Sequence, residues 1–274
     1  MKISVIVPYK PGEIRLKRCL DSIQASIVRT SAEWEVVDVE GGDGIAKARN
    51  DGLCRATGDW IAWADADDEV VPEWAASIVS GIQAVGDGRN LIVFDARAEW
   101  DNRERAGYDL VYGRSAGFVD VHKFAKDVIG ACRAGGWLWN KVFHRSLFAG
   151  RVFAGNAYQD YRMMCELLPT VEKVWNLKRK LYLYHRSATG ISQFVNRENS
   201  RLALADLIRL ANERHDEFSG DMRKGVTVQL ADFCRHAGGE PAFRRFIRRH
   251  LLPTLLLPEV GWRTKAKLML EAFK

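Results

Sequence analysis

Three carboxylates crowd into four positions of the chain, Asp65, Asp67 and Asp68, directly after the mostly apolar run WIAWA at residues 60–64. Like charges this close repel one another, so a cation, a basic side chain or exposure to water has to offset the repulsion. Mg²⁺ usually takes one or two carboxylates and completes its shell with phosphate and water. The cluster therefore predicts a divalent cation that faces a diphosphate. The alternative is an acidic loop that caps the following helix.

The segments around the cluster alternate between strand-like and helix-like patterns. The runs ISVIVP, WEVVDV, WIAWA, NLIVFDARAEW and KLYLYHRS are apolar or β-branched, as is typical of strands in a sheet that is buried on both faces. Helical patterns of about a dozen residues separate the first four runs. The alternation predicts an α/β fold with a mostly parallel sheet flanked by helices.

The position of the carboxylates in this pattern matters more than their number. In an open parallel sheet, ligands bind outside the carboxyl ends of the strands, and Asp65 and Asp67 come where WIAWA should end. If the strand continued through them, alternate residues would share a face and the two side chains would point the same way. Both considerations favour a ligand site at this edge of the sheet.

The pattern becomes helical beyond about residue 192, which divides the chain into an α/β domain at 1–193 and a helical region at 194–274. Net charge is +6, and residues 235–274 carry nine Lys/Arg against three acidic residues, which accounts for the whole surplus. Two segments there, AFRRFIRRHLL and WRTKAKLMLEAF, are basic and amphipathic, a pattern that can bind an anionic membrane surface. The alternative is that their apolar stripes pack on the α/β domain. No nucleic acid partner is expected, because few aromatic residues in these segments are placed for base stacking.

Composition and cysteine usage predict the location of the protein. Hydrophobic residues make up 47% of the chain, enough for a sizeable core. Five cysteines without CxxC spacing indicate reduced thiols. The N-terminus MKISVIVPYK lacks the pattern of a signal peptide, and no stretch is apolar for long enough to span a bilayer. We expect a cytoplasmic protein, attached peripherally to the inner face of the cell membrane if the basic helices dock there.

Several segments resemble the motifs of the family 2 glycosyltransferases, which have the GT-A fold. The resemblance is densest at AKARNDGLCRATGDWIAWADADDEV, preceded by SVIVPYK and EVVDVEGGDG, and it continues in GGWLWNKVFHRSLF, NAYQDYRMMCELL and KLYLYHRSATGIS. It covers roughly residues 1–193. It implies an inverting, Mn²⁺- or Mg²⁺-dependent transfer of a sugar from a nucleotide-diphosphate donor, with UDP favoured. The acceptor would be a hydroxyl of a glycan or lipid-linked acceptor, in cell-surface polysaccharide synthesis.

The same resemblance assigns roles to single residues. It implies Asp160 as the catalytic base, and Asp67, with Asp65 and His185, as metal ligands. Donor or nucleotide contacts would come from Pro8, Asp38, Glu40, Arg49, Asn50 and Asp65, and acceptor contacts from Trp137 and Trp139. Two positions depart from the family pattern, since Val39 stands where a second Asp is usual and Gln159 where a Glu is usual. Glu40 is the expected substitute for the first of these.

Other classes of protein fit the sequence less well. A nucleotidyltransferase would need a phosphate-binding loop after the first strand, and PYKPGEIR is a poor match. GGDGIA is only a fragment of a dinucleotide-binding motif. A degenerate transferase that binds a membrane or a partner remains the non-enzymatic alternative. The joint presence of Asp38, Asp65, Asp67 and Asp160 favours an enzyme.

Overall fold

The computed structural model describes residues 1–100, 106–130, 136–155, 157–186, 197–237, 239–258 and 260–274. The chain forms two compact units, each assembled from separate segments. Unit 1 comprises Met1–Val121, Trp137–Ala154 and Thr170–Phe194, and unit 2 comprises His122–Gly136, Gly155–Pro169 and Val195–Lys274. The predicted boundary between residues 193 and 194 lies outside the described residues.

Unit 1 contains one mixed sheet, in the order β2-β1-β3-β8-β5-β9-β4, with β6 paired to β5 and β7 to β9. Its strands in the described part of the chain are β1 (Lys2–Tyr9), β2 (Glu33–Glu40), β3 (Trp60–Trp63), β4 (Glu69–Val70), β5 (Asn90–Trp100), β6 (Tyr108–Leu110), β7 (Gly117–Val119), β8 (Lys141–His144) and β9 (Lys173–Arg186). β1 runs parallel to both β2 and β3, and β5 runs parallel to β9. β8 enters antiparallel between β3 and β5.

Three helices of unit 1 follow the first strands, α1 (Leu16–Ile27), α2 (Ile45–Arg55) and α3 (Trp74–Val85). α1 buries Cys19, Ile23 and Ser26, a helical stripe that faces the core. Every residue from position 3 to 8 of β1 is buried, as expected of a strand covered on both faces. The predicted strands and helices of this part of the chain are therefore present. β8 was not predicted, because KVFH is short and carries a lysine.

Unit 2 is helical. Its main helices are α5 (Gln159–Leu167), α6 (Arg197–Glu213), α7 (Ser219–Ala237), α8 (Pro241–Leu255) and α9 (Trp262–Phe273), preceded by the short α4 (Val121–Ala125) and a π-helical turn at Lys126–Gly130. Gly225 of α7 allows a close approach, because an added Cβ would collide with the Ile129 carbonyl oxygen and the Tyr161 hydroxyl. That hydroxyl donates a 2.7 Å hydrogen bond to the Ile129 carbonyl. The helical C-terminal region is therefore confirmed.

No described helix is both long enough and apolar enough to cross a membrane. Four of the five cysteines, Cys19, Cys54, Cys165 and Cys234, lie in the described residues and are free thiols. Cys132 lies outside the described residues.

Candidate functional site

The acidic residues lie in a turn at the carboxyl end of β3. β3 ends at Trp63, and the backbone N–H of Asp68 closes the turn by donating a 3.0 Å hydrogen bond to the carbonyl of Asp65. The predicted position at the strand end is therefore confirmed. The prediction that Asp65 and Asp67 point the same way from a strand was wrong, because both residues lie in the turn after β3. The capping alternative is also wrong, because α3 begins after Glu73 with no side-chain cap.

Basic side chains face the half-buried carboxylates of Asp65 and Asp67 in this turn. Arg49 Nη2 lies 3.9 Å from Asp65 Oδ1, and Arg15 Nη2 lies 3.5 Å from Asp67 Oδ2. Arg18 Nη2 donates a 2.9 Å hydrogen bond to the backbone carbonyl of Asp67. These positive charges, which come from α1, α2 and the loop before α1, thus offset part of the repulsion between the carboxylates of the turn.

Asp68 differs from its neighbours because it is fully buried. Its Oδ1 accepts a 2.7 Å hydrogen bond from the backbone N–H of His185, and its Oδ2 has no hydrogen-bond partner among the described residues. The Tyr182 hydroxyl oxygen accepts a 2.9 Å hydrogen bond from the backbone N–H of Asp65. Burial raises the pKa of the Asp68 carboxyl well above its usual range, and the charges of Asp65 and Asp67 raise it further. The hydrogen bond between Asp68 and His185 therefore ties the acidic turn to β9.

Asp67 retains an incompletely compensated charge. Burial raises the pKa of its carboxyl, although the Arg15 guanidinium lowers it. An oxygen ligand whose negative charge lacks full compensation fits a hard divalent cation. Among the residues that the structure describes, no three His, Cys, Asp or Glu side chains are grouped so that they could hold a metal. The donors that the turn offers are the carboxylates of Asp65 and Asp67, and Mg²⁺ typically takes one or two protein carboxylates and completes its shell with phosphate and water.

His185 is paired with an acidic side chain beside the turn. Its Nε2 lies 2.9 Å from Glu69 Oε1, and the same oxygen lies 3.2 Å from Nε of Arg18. The structure therefore brings His185 to the acidic turn, as its predicted role requires. Its role as a metal ligand stays a prediction.

Arg49 and Asn50 are adjacent on α2, but their side chains make different kinds of contact. The Arg49 side chain is buried, its guanidinium lies 5.6 Å from the centre of the Phe153 ring, and its Nε and Nη1 have no hydrogen-bond partner among the described residues. Such orphaned donors beside Asp65 are suited to an anionic ligand. Asn50 donates a 2.9 Å hydrogen bond to the Phe153 carbonyl and accepts one of 2.8 Å from the Phe153 N–H. Its carboxamide thus holds the Phe153 loop against α2.

The predicted nucleoside contacts lie on neighbouring strands. In the β1–β2 register, Val7 pairs with Asp38 and Pro8 with Val39. Val39 is buried in the core, whereas Glu40, the last residue of β2, is exposed. Alternate strand residues share a face, so Glu40 lies on the same face as Asp38 and on the opposite face from position 39. The role of Glu40 as the substitute for the missing Asp therefore stays a prediction.

An aromatic stack leads from the protein surface to the acidic turn. Trp137 stacks on Trp139 with ring centroids 5.2 Å apart, and Trp139 stacks on Tyr182 at 4.6 Å and on Tyr184 at 5.6 Å. Trp139 is buried and Trp137 is half-buried. Trp139 is thus a core residue, and Trp137 is the one whose ring is partly open to a ligand.

Asp160 lies in unit 2, in the first turn of α5, and its Oδ1 accepts a 2.8 Å hydrogen bond from the Tyr161 N–H. Tyr158, just before the helix, has φ +53°, a conformation that side chains other than glycine seldom adopt. Glu166 in the same helix forms a 3.1 Å ion pair with Arg162. Of the two carboxylates in α5, Asp160 is therefore the one without an ion pair to a basic side chain in the described residues.

Sequence reasoning missed several residues that shape the site. Arg15 and Arg18 follow β1 in a stretch that carries no recognisable motif, and nothing in the sequence links them to a turn about fifty positions later. Tyr182 had one available signal, since Tyr182 and Tyr184 alternate in KLYLYHRS and so share a face of β9. No sequence signal pointed to Lys141 of β8. This lysine is buried, and its Nζ donates hydrogen bonds to the Trp137 carbonyl and to Asn140 Oδ1.

Comparison with known proteins agrees with this geometry. Residues 35–143, which include the acidic turn, match the family model described as glycosyl transferase family 2. A curated protein of Escherichia coli strain K12, named "uncharacterized glycosyltransferase YibD", is 24% identical over 235 residues, or 73% of this chain. The aligned part spans 66% of that relative's length, just under two thirds.

Solved structures of S. aureus TarS are similar over nearly the whole chain. A crystal structure of its residues 1–349 has a TM-score of 0.58 at 16% identity, covering 98% of this chain and 84% of that one. The same part of TarS in complex with UDP-GlcNAc has a TM-score of 0.57 at 13% identity, covering 99% and 89%. At these identities the likeness concerns the fold, and it confirms the predicted GT-A class. The match over residues 35–143, the curated relative and the shared fold together confirm the resemblance that the sequence predicted, to the family 2 glycosyltransferases.

Proposed function

We propose that the chain is an inverting glycosyltransferase that moves a sugar from a UDP-sugar to a hydroxyl of a glycan or lipid-linked acceptor, in cell-surface polysaccharide synthesis. The observation that carries the proposal is the acidic turn at the end of β3, with Arg49 beside it, whose buried Nε and Nη1 have no hydrogen-bond partner in the described part of the chain. A carboxylate pair next to a guanidinium with two unused donors suits a diphosphate that arrives with a divalent cation. The TarS complexes with UDP and UDP-GlcNAc support this class of donor.

We further propose that Asp67, assisted by Asp65, holds Mn²⁺ or Mg²⁺. The raised pKa of Asp67 supports this role, because it indicates a carboxylate whose burial the Arg15 charge does not fully offset. A bound divalent cation would stabilise the charge that develops on the leaving diphosphate. The protein's own contribution is to fix the turn through Asp68 and to present Arg49, Arg15 and Arg18 as permanent positive charges.

Asp160 is the proposed general base. An acceptor hydroxyl is a poor nucleophile until its proton is removed, and a positioned carboxylate contributes typically ~10²–10⁴-fold to the rate. A single base acting opposite the leaving group gives one displacement and hence inversion. Its support is the match to the family motif, together with the commitment of Glu166, the next carboxylate in α5, to Arg162.

The test is a titration of UDP with and without Mn²⁺ on the wild type and on Asp67→Asn, followed by a screen of UDP-sugars for hydrolysis and transfer. The matched control is Asp87→Asn, which removes an exposed carboxylate far along the chain from the turn. We expect UDP to bind the wild type and the control tightly only with Mn²⁺, and to bind Asp67→Asn weakly under both conditions.

Two results would contradict the proposal. Equal, metal-independent affinity in all three proteins would remove the metal role of Asp67. Absence of UDP binding in the wild type, with or without metal, would favour the degenerate transferase instead.

A further inference from the structure

The last helix of unit 2 turns its apolar face outward. α9 buries Leu268, Glu271 and Ala272, whereas Trp262, Leu270 and Phe273 are 74%, 65% and 79% exposed. Exposed apolar side chains that recur on one helix face are unusual on the surface of a monomeric protein and indicate a binding surface.

α8 contributes to the same kind of surface, although its main apolar stripe points the other way. Phe243, Phe246 and Ile247 are buried, so this stripe, for which the sequence left membrane binding and packing open, belongs to the core of unit 2. The last turns of the helix are different, because Leu252 and Leu256 are 66% and 72% exposed. We call Leu252, Leu256, Trp262, Met269, Leu270 and Phe273 the C-terminal apolar surface.

Basic residues accompany this surface. Arg245, Arg248 and Arg249 of α8 are exposed, and none of the three takes part in an ion pair among the residues that the structure describes. Arg263 lies with its guanidinium 5.4 Å from the centre of the Trp262 ring. Uncompensated positive charge next to exposed apolar side chains is the combination that interfacial helices present to anionic lipid, with tryptophan favoured at the boundary.

We infer that the C-terminal apolar surface docks the protein on an anionic lipid bilayer, with the apolar side chains entering the interface and the arginines contacting lipid headgroups. Charge complementarity favours lipid over a second copy of the chain. Two copies that met through this surface would bring their arginine clusters together, whereas anionic headgroups neutralise them. The inference is independent of the proposed transfer reaction, because it rests on unit 2 alone and its test measures no activity.

The experiment is flotation of the full chain with vesicles of phosphatidylcholine alone and of phosphatidylcholine with phosphatidylglycerol, at low salt and at ~1 M salt, where the Debye length falls to about 3 Å. Two variants of exposed residues test the two contributions to binding. Arg245→Gln/Arg248→Gln/Arg249→Gln removes the positive charge, and Leu270→Ser/Phe273→Ser removes apolar side chains of the C-terminal apolar surface. Their matched controls are Lys17→Gln/Arg29→Gln/Lys47→Gln, which changes the net charge equally but in unit 1, and Val28→Ser/Leu202→Ser, which removes exposed apolar side chains elsewhere.

We expect the wild type to float with anionic vesicles at low salt, far less at high salt, and hardly at all with neutral vesicles. The arginine variant should lower the partition coefficient roughly a hundredfold, and the apolar variant more than about tenfold. Both controls should match the wild type. All changes lie on exposed side chains, so thermal unfolding should be unaffected.

Three outcomes would overturn the inference. The first is equal partitioning of the wild type into both kinds of vesicle. The second is an equal loss in the matched charge control, which would assign binding to net charge alone. The third is a self-associating wild type that fails to float, and whose mass in sedimentation falls to that of a monomer in Leu270→Ser/Phe273→Ser, since the surface would then bind a second copy.

Discussion

The backbone N–H of His185 donates a 2.7 Å hydrogen bond to Oδ1 of Asp68, a residue 117 positions earlier whose side chain is fully buried. This bond fastens β9 to the turn that carries Asp65 and Asp67. A buried carboxylate is costly, and here one oxygen accepts a hydrogen bond from β9 whereas the other has no partner among the described residues. The geometry of the acidic turn therefore depends on Asp68, a buried residue that is not itself open to a ligand.

The first prediction concerns the pH dependence of stability. The folded-state pKa of Asp68 is raised above its ordinary value of 3.8, so the folded protein binds the proton more tightly than the unfolded chain. Stability is therefore lost as pH rises from that ordinary value through the raised one. Asp68→Asn keeps an acceptor for His185 and removes the titration. We expect its free energy of unfolding in urea to fall less between pH 5 and pH 8 than that of the wild type.

Asp68→Ala separates the hydrogen bond from the charge. It leaves the part-buried His185 N–H without its acceptor, which should destabilise the protein by about 1–3 kcal/mol at acidic pH. The exposed control Asp87→Asn should follow the wild type at every pH. An Asp68→Asn protein with the same pH slope as the wild type would show that the slope arises elsewhere, and Asp67, whose pKa is also raised, would be the next residue to test.

The second prediction concerns the pH dependence of nucleotide binding. A cation binds the ionised carboxylate, and the pKa of Asp67 is raised by burial. Mn²⁺-dependent binding of UDP should therefore weaken as pH falls through this raised pKa, at a higher pH than an ordinary aspartate would dictate. Calorimetric titrations of UDP in the presence of Mn²⁺, carried out from pH 8 to pH 5 on the wild type and on Asp67→Asn, measure this pH dependence. A wild type whose affinity depends on pH no differently from that of Asp67→Asn would remove Asp67 from the coordination of the cation.

The third prediction compares the two carboxylates of α5. Asp160→Asn should lower sugar transfer by about 10²–10⁴-fold and leave UDP affinity nearly unchanged, since a base acts on the acceptor and not on the nucleotide. Glu166→Gln removes a carboxylate that pairs with Arg162, so it should lower transfer only slightly. Rates with a UDP-sugar that the wild type uses provide the measurement. Comparable losses in both variants would indicate a structural effect on α5 and not a catalytic one.

The fourth prediction separates the two tryptophans. Trp139 is buried in the stack with Tyr182, so Trp139→Ala should destabilise the protein by about 3–5 kcal/mol. Trp137 closes the outer end of the stack and is half-buried, so Trp137→Ala should be milder and should raise the KM for the acceptor more than the KM for the donor. Unfolding in urea and initial rates distinguish the two. An equal rise in both KM values for Trp137→Ala would argue against an acceptor contact.

Much of unit 1 was determined by the sequence itself. The strands ISVIVP and WIAWA are short, apolar and bounded by turn residues, and the helices after them repeat apolar residues at helical spacing. Such local patterns fix the type of each element whatever its neighbours do. The position of the acidic turn was likewise foreseeable, because clustered carboxylates directly after a buried strand indicate where that strand ends, although the burial of Asp68 was not.

The partners of those carboxylates were decided by the tertiary structure alone. Arg15 and Arg49 reach Asp67 and Asp65 from separate elements, and Tyr182 and His185 of β9 contact Asp65 and Asp68 respectively. These contacts depend on strand order, which brings residues more than a hundred positions apart into contact, and no local pattern encodes that order. The same holds for the basic helices, where periodicity predicted two apolar stripes. Packing against the rest of unit 2 buried the stripe of α8 and left that of α9 exposed, because a helical period gives a face but not the direction in which it points.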